Sequence, residues 1–225
     1  MRVILFGATG MVGQGVLREC LRSPDVERVL TVGRTATGQR HEKLTEWVHT
    51  DFQDYAAVAP QLTGYDVCFF CLGVSSAGMK EQDYRRVTFD IALAAAQALG
   101  QHNPGMRFLY VSGAGTDSSE RGRTMWARVK GETENALLRQ SSLSAYMFRP
   151  GYIQPMHGIR SKTRLYQALY TVMAPLYPVW KALFPGFVTT TEQLGRAMLA
   201  VARQGTPKRV LENKDINDLA ATATA

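Results

Sequence analysis

The chain has 225 residues, 45% of them hydrophobic and 20% charged, with a formal net charge of +7. That size and balance suit one globular α/β domain with a full core, and no apolar run approaches the ~20 residues of a membrane-spanning helix. The basic excess shows no aromatic-interleaved basic run and no zinc-finger spacing, so nothing points to nucleic acid as a partner.

The apolar run Val3-Ile4-Leu5-Phe6 predicts a strand over 2–6. Straight after it comes Gly7-Ala8-Thr9-Gly10-Met11-Val12-Gly13, which opens a helical pattern over 11–22. A second apolar run predicts a strand over 28–33 that ends at Gly33-Arg34. Strand, glycine turn, helix and strand in that order make a dinucleotide site. The glycines let the backbone turn sharply and approach a pyrophosphate, whose charge rests on the helix N-terminus. A βαβ unit whose glycines serve only helix–strand packing is the plainer alternative.

Further strands are predicted over 46–49, 66–71, 107–112 and 144–148. Helices are predicted over 81–99, 123–139, 160–182 and 191–204. Cys68 and Cys71 have CxxC spacing, but strand positions three apart face opposite ways and no second pair completes a zinc site, so no metal is expected. With Cys20 they make three cysteines, and the first strand starts at residue 2 or 3. Both observations suggest a reduced, cytoplasmic protein without a leader. The helix over 81–99 carries Ile91, Ala94, Ala95 and Ala98 at helical spacing and is stopped by Gly100 and Pro104.

Strands such as Val67-Cys68-Phe69-Phe70-Cys71 are apolar on both faces and alternate with helices. A doubly wound parallel sheet of Rossmann type with strand order 3-2-1-4-5-6 follows, its ligand at the carboxyl ends between strands 1 and 4. The expected organisation is a single domain over 1–213, an apolar substrate-side cap over 152–188, and a tail over 214–225 that frays from Asn217 onward. Leu165, Tyr166, Leu169, Tyr170, Trp180 and Phe184 make the cap strongly apolar. It lines a pocket, or else offers a surface to a protein partner, a second subunit or a membrane. Between Arg107 and Arg164 stand ten Lys/Arg against four Asp/Glu. This is a solvated basic face or a mouth that attracts an anionic ligand.

After the fifth strand come Tyr110-Val111-Ser112-Gly113-Ala114-Gly115, then Trp126-Ala127-Arg128-Val129-Lys130-Gly131-Glu132-Thr133-Glu134, then Phe148-Arg149-Pro150-Gly151-Tyr152. With the first glycine turn, this series resembles the extended or atypical short-chain dehydrogenase/reductases, within them the NAD-dependent epimerase/dehydratase and NAD(P)H-binding group, and there the oxidoreductases related to the Tat-interacting protein. The resemblance covers roughly residues 1–213. It implies hydride transfer beside a serine, a tyrosine and a lysine, the lysine four residues after the tyrosine on one helix face.

Ser112 matches the serine and Lys130 the lysine, while the tyrosine position is Trp126. An indole N–H donates but does not ionise usefully, so Trp126 cannot deliver the proton. Tyr152 is a possible substitute acid, and Tyr84 another. Tyr177 stands four before Lys181, but in the wrong part of the topology.

For the cofactor, the resemblance implies Gly7, Thr9, Gly10, Met11, Val12 and Gly13 at the pyrophosphate. It puts Asp51 and Phe52 at the adenine, Cys71, Leu72 and Gly73 along the ribose, and Lys130, Pro150, Gly151 and Tyr152 at the nicotinamide end. Thr88 occupies a position where many relatives carry asparagine or aspartate. Arg34 follows the second strand where an NAD site carries an acid, so NADP(H) is preferred and NAD(H) remains possible. The expected protein is an NADP(H)-dependent oxidoreductase acting on a carbonyl or hydroxyl of a small-molecule substrate. The alternative is a non-catalytic NADP(H)-binding sensor or assembly factor. Either could be a homodimer.

Overall fold

The computed structural model describes residues 1–55, 61–159, 177 and 183–222. Its main sheet contains β1 (Arg2–Phe6), β2 (Arg28–Gly33), β3 (Leu44–Val48), β4 (Val67–Phe70), β5 (Arg107–Val111), β6 (Ser144–Arg149) and β9 (Val210–Glu212). The order is β3-β2-β1-β4-β5-β6-β9, with every pairing parallel. The expected order is therefore present, extended at one edge by β9, a three-residue strand too short to signal itself. A second, two-stranded parallel sheet joins β7 (Tyr152–Gln154) to β8 (Val188–Thr190).

Alternation along β1 divides the core. Val3 and Leu5 join Val16, Leu17 and Cys20 of α1 (Met11–Arg22) and Leu194, Met198 and Val201 of α5 (Thr191–Gln204) on one face. Ile4 and Phe6 join Ala92, Ala95 and Leu99 of α3 (Ile91–His102) and Leu137 of α4 (Met125–Leu138) on the other. Successive strand side chains point to opposite faces, so a run apolar throughout is covered on both sides.

Helices α1 and α5 meet through small residues. A methyl group on Gly15 would lie 2.7 Å from Thr191, and one on Gly195 would lie 2.8 Å from Glu19. This contact ties the helix behind the glycine turn to the chain that leaves β8.

The helix predicted as one piece over 81–99 is α2 (Glu81–Arg85), a π-helical turn over Arg86–Asp90, and α3. π-turns insert one residue into the helical ladder and have no hydrophobic-period signature. Of the residues expected to fray from Asn217 onward, those up to Thr222 instead belong to α6 (Asn213–Thr222), because Ile216 and Ala220, one turn apart, are both buried; 223–225 lie outside the described residues. The C-terminal helices α5 and α6 pack together as a small cap. The apolar stretch over 160–182, including the predicted helix there, lies outside the described residues except for Tyr177. Among the described residues no helix is long and apolar enough to cross a membrane, and no His/Cys/Asp/Glu group could hold a metal ion. The three cysteines are free, and burial pushes each thiol well above its usual range.

Candidate functional site

β1 ends at Phe6, and Gly7 turns the chain with φ of +80°, a conformation that favours glycine. The Gly10 N–H closes the turn on the Gly7 carbonyl at 3.0 Å. The Cys71 N–H bonds the Phe6 carbonyl at 3.0 Å, drawing the end of β4 against the turn. A methyl group on Gly7 would lie 2.7 Å from the Leu72 nitrogen, and one on Gly13 only 2.1 Å from the Gly7 oxygen. Gly10 differs: its φ of −79° suits any residue, and its nearest neighbour would be the Gly7 oxygen at 3.4 Å. So Gly7 and Gly13 are demanded by packing, whereas Gly10 leaves open space.

That space faces the N-terminus of α1. No side chain caps this helix, its first turn holds no acid, and among the described residues nothing accepts from the N–H groups of Met11, Val12 or Gly13. Free donors and the positive end of the helix dipole make an anion cradle. Thr9 gives its carbonyl to the Gln14 side chain, which fixes the approach to the helix. The residues present fit a pyrophosphate.

Other residues expected at the cofactor follow the neighbouring strands. Arg34 directly follows β2, is exposed, and makes no ion pair among the described residues. The loop beyond it is folded back by Glu46 of β3, whose carboxylate accepts from the Thr37 backbone N–H at 2.6 Å and from its hydroxyl. Asp51 is exposed and accepts from the Gln53 N–H at 3.0 Å. Phe52 is buried, its ring 6.3 Å from that of Phe6. Leu72 and Gly73 follow Cys71 along the C-terminal edge of β4.

The catalytic candidates gather at the ends of β5 and β6. Lys130, on α4, donates its ammonium to the Ser112 carbonyl. Desolvation pushes its pKa down to about 8, although the charge of Glu134 works against the fall. Ser112 is buried, and its hydroxyl donates to Glu134 Oε1 at 2.5 Å, with the Phe148 carbonyl at 3.1 Å. Trp126 lies one turn before Lys130, its ring edge 3.6 Å from where a methyl group on Gly115 would be.

The Tyr152 hydroxyl donates to Gln154 at 2.9 Å, and burial raises its pKa. Pro150 accepts from the Ala114 N–H at 2.8 Å, tying the loops after β5 and β6 together. Gly151 donates to Asn213 Oδ1 at 2.9 Å, and a side chain there would run into the Phe187 carbonyl at 2.2 Å. Tyr84 is buried, and the Thr88 hydroxyl, in the π-turn, is buried without a partner.

One part of the site has no sequence signal. Glu134 is 1% exposed and takes Arg149 through a two-pronged pair, Nε lying 3.0 and 3.1 Å from its two oxygens. Arg149 also reaches Glu212 of β9 at 3.1 Å and the Ser118 hydroxyl at 2.5 Å. Burial works against the Arg149 charge, yet its bonds to Glu134 and Glu212 outweigh this and hold its pKa above the usual guanidinium value. The network staples β5, β6, β9 and α4 at the end where Lys130 sits. Only the spacing Lys130–Glu134, one helical turn, was open to inspection.

Residues 7–169 match the NAD(P)H-binding family. The chain belongs to that family. This NAD(P)H-binding protein is 32% identical over 176 residues to the mitochondrial protein fmp52-1 of Aspergillus terreus, covering 74% of this chain and 71% of the relative. It is 29% identical over 154 residues to rat HTATIP2, covering 67% and 62%. In fold it resembles the Bordetella bronchiseptica enzyme WbmF, solved with NAD+ and UDP, with a TM-score of 0.69 at 18% identity, over 99% of this chain and 76% of that one. Its Rossmann fold, its family and its likeness to the fmp52 and HTATIP2 proteins agree with one another.

The expectation of a cytoplasmic location is corrected by these relatives, since the fmp52 proteins of several fungi are mitochondrial. Three unpaired cysteines do not distinguish one compartment from another.

Proposed function

We propose that this NAD(P)H-binding protein is a nicotinamide-dependent oxidoreductase of the short-chain type, acting on a carbonyl or hydroxyl of a small molecule. The observation that carries the reading is the uncapped N-terminus of α1, open beside Gly10 at the switch between β1 and β4, with Lys130 at the same end of the sheet. When bound, the coenzyme supplies hydride.

The chain's own residues do the rest. The turn over Gly7, Thr9, Gly10, Met11, Val12 and Gly13 takes the pyrophosphate on its N–H groups. Asp51 and Phe52 flank the adenine, Cys71, Leu72 and Gly73 follow its ribose, and Pro150, Gly151 and Tyr152 back the nicotinamide. Ser112 holds Lys130 through its carbonyl. Arg34, exposed and without an ion pair among the described residues, can meet a 2′-phosphate, which supports NADP(H) over NAD(H). WbmF was solved with NAD+, so the unphosphorylated coenzyme is the comparison to run.

A second reading, a non-catalytic coenzyme-binding protein, is favoured by one observation: Trp126 at the tyrosine position. Fluorescence titration with NADPH and NADH tests binding, and oxidation of NADPH over a panel of carbonyl compounds tests turnover. Turnover by the wild type supports the oxidoreductase. Activity that arises only in Trp126→Tyr supports the second reading. No affinity for either coenzyme refutes both.

A further inference from the structure

A reductase of this kind must hand a proton to the substrate oxygen, and the residue at the usual position is an indole. Several described groups at this end of the sheet are committed or buried. Ser112 directs its hydroxyl to Glu134. The Tyr152 hydroxyl donates to Gln154. Tyr84 and Tyr110 are each 2% exposed. Glu132 is taken by Arg85 at 2.7 Å, Glu212 and Glu134 by Arg149 at 3.1 Å and 3.0 Å, and Asp117 by the N–H groups of Ser119 and Gly122.

Lys130 stands apart. Its ammonium bonds a neutral carbonyl, and among the described residues it makes no ion pair. One of three N–H bonds is committed, which leaves two. The carboxylate one turn along its own helix would be its natural counter-ion, but the guanidinium of Arg149 already occupies both oxygens of Glu134. The buried pair thus leaves the desolvated ammonium bonded to a neutral carbonyl, with no ion-pair partner among the described residues.

We propose that Lys130 itself gives and takes the substrate proton, Arg149 acting as the positioning residue that keeps Glu134 from pairing with it. The inference rests on the oxidoreductase reading above. In the reducing direction the carbonyl carbon gains hydride and the reduced nicotinamide is oxidised. The substrate oxygen forms a bond to a proton as an N–H bond of Lys130 breaks, and the electron pair stays on nitrogen. The neutral amine regains a proton from water. The fall of the Lys130 pKa to about 8 fits this role, because an acid works best when it titrates near the working pH.

The test starts on the coenzyme-free protein. Lysine side chains labelled with carbon-13 are followed by NMR between pH 6 and 11, and Lys130 is assigned as the signal missing in Lys130→Arg. A midpoint near 8, against 10.5 for ordinary lysines, is expected. A midpoint in the ordinary range overturns the proposal. With coenzyme, Lys130→Arg keeps a cation that can bond Ser112 and the ribose but cannot release its proton. Its coenzyme affinity should stay within about threefold of the wild type, while carbonyl reduction falls at least 100-fold. Wild-type reduction should decline above about pH 8 as the ammonium is lost. Turnover retained in Lys130→Arg overturns the proposal. A wild type that binds coenzyme yet reduces nothing across the panel overturns it too, leaving the non-catalytic reading. No coenzyme binding at all sinks the oxidoreductase reading and this inference together.

Discussion

Gly10 and Gly13 make a matched pair, because the same substitution should act on opposite properties. At Gly10 the backbone has φ −79° and ψ 164°, which alanine adopts freely, and its methyl group would meet only the Gly7 oxygen at 3.4 Å. Alanine there restricts the unfolded chain, a gain of about 0.4–1 kcal/mol. It also replaces a tolerated N-cap residue by a poor one, a loss of about the same size. The melting temperature of Gly10→Ala should therefore stay within about 3 °C of the wild type.

Coenzyme binding should respond quite differently. A pyrophosphate must lie at hydrogen-bond distance from the N–H groups of Met11, Val12 and Gly13, in the space the methyl group would fill. Losing one charge-assisted bond costs about 1.5–3 kcal/mol, or about 10- to 100-fold in Kd. At Gly13 the methyl group would sit 2.1 Å from the Gly7 oxygen and 2.9 Å from Ala8 Cα, both backbone. The turn has to open, and overpacking of this kind costs about 1–3 kcal/mol or more, partly offset by up to about 1 kcal/mol of helix propensity. Gly13→Ala should melt several degrees lower. Paired thermal unfolding and fluorescence titration measure both effects. An unchanged coenzyme Kd in Gly10→Ala would refute the pyrophosphate cradle and leave the turn as a packing device.

Glu134→Gln neutralises one partner of a pair whose side chains are 1% and 11% exposed. Uncoupling a buried charge costs about 3–5 kcal/mol, so the melting temperature should drop by about 6–20 °C; a change under 2 °C would show that the pair contributes nothing. Lys130→Met removes a base whose folded pKa, about 8, lies below its unfolded 10.5. Between those values the unfolded chain binds more protons, so wild-type stability rises with pH. The variant should be more stable by about 2 kcal/mol at pH 7, after about 1 kcal/mol for the lost bond to Ser112, and that advantage should vanish by pH 10.5. A constant difference across the range would place the Lys130 titration elsewhere. Arg34→Glu should weaken NADPH about 100-fold or more and NADH little; equal losses would mean that Arg34 does not meet the phosphate.

Local pattern made much of the fold legible. The run Val3 to Phe6, the turn to Gly13 and the helix behind it are consecutive in the chain, so glycine chemistry and hydrophobic period suffice to read them. Strand order followed from the handedness of the crossovers. The helix over 191–204 was legible as a helical pattern, and the structure ends it at Gly205, where φ is +68°. Less could be read where short elements depend on neighbours. β9 has three residues and exists because β6 offers it an edge, Met147 pairing with Val210. α6 is held by Ile216 and Ala220 against the body of the protein, which a polar-looking C-terminal segment does not advertise.

The sequence by itself determined the chemical inventory: a glycine turn before a helix, Arg34 where an acid could stand, Lys130 four residues after Trp126. Each is a relation between residues a few positions apart, and local geometry converts such spacing directly into a shared face. Only the tertiary structure decided how those groups are paired. Glu134 and Arg149 lie 15 positions apart, and Glu212 lies 63 beyond Arg149. They meet because β6 lies between β5 and β9 while α4 packs across them. Burial then makes the choice of partner matter, since a carboxylate in a dry site needs a cation paired with it. In this fold that cation is Arg149, and Lys130 is left with a carbonyl.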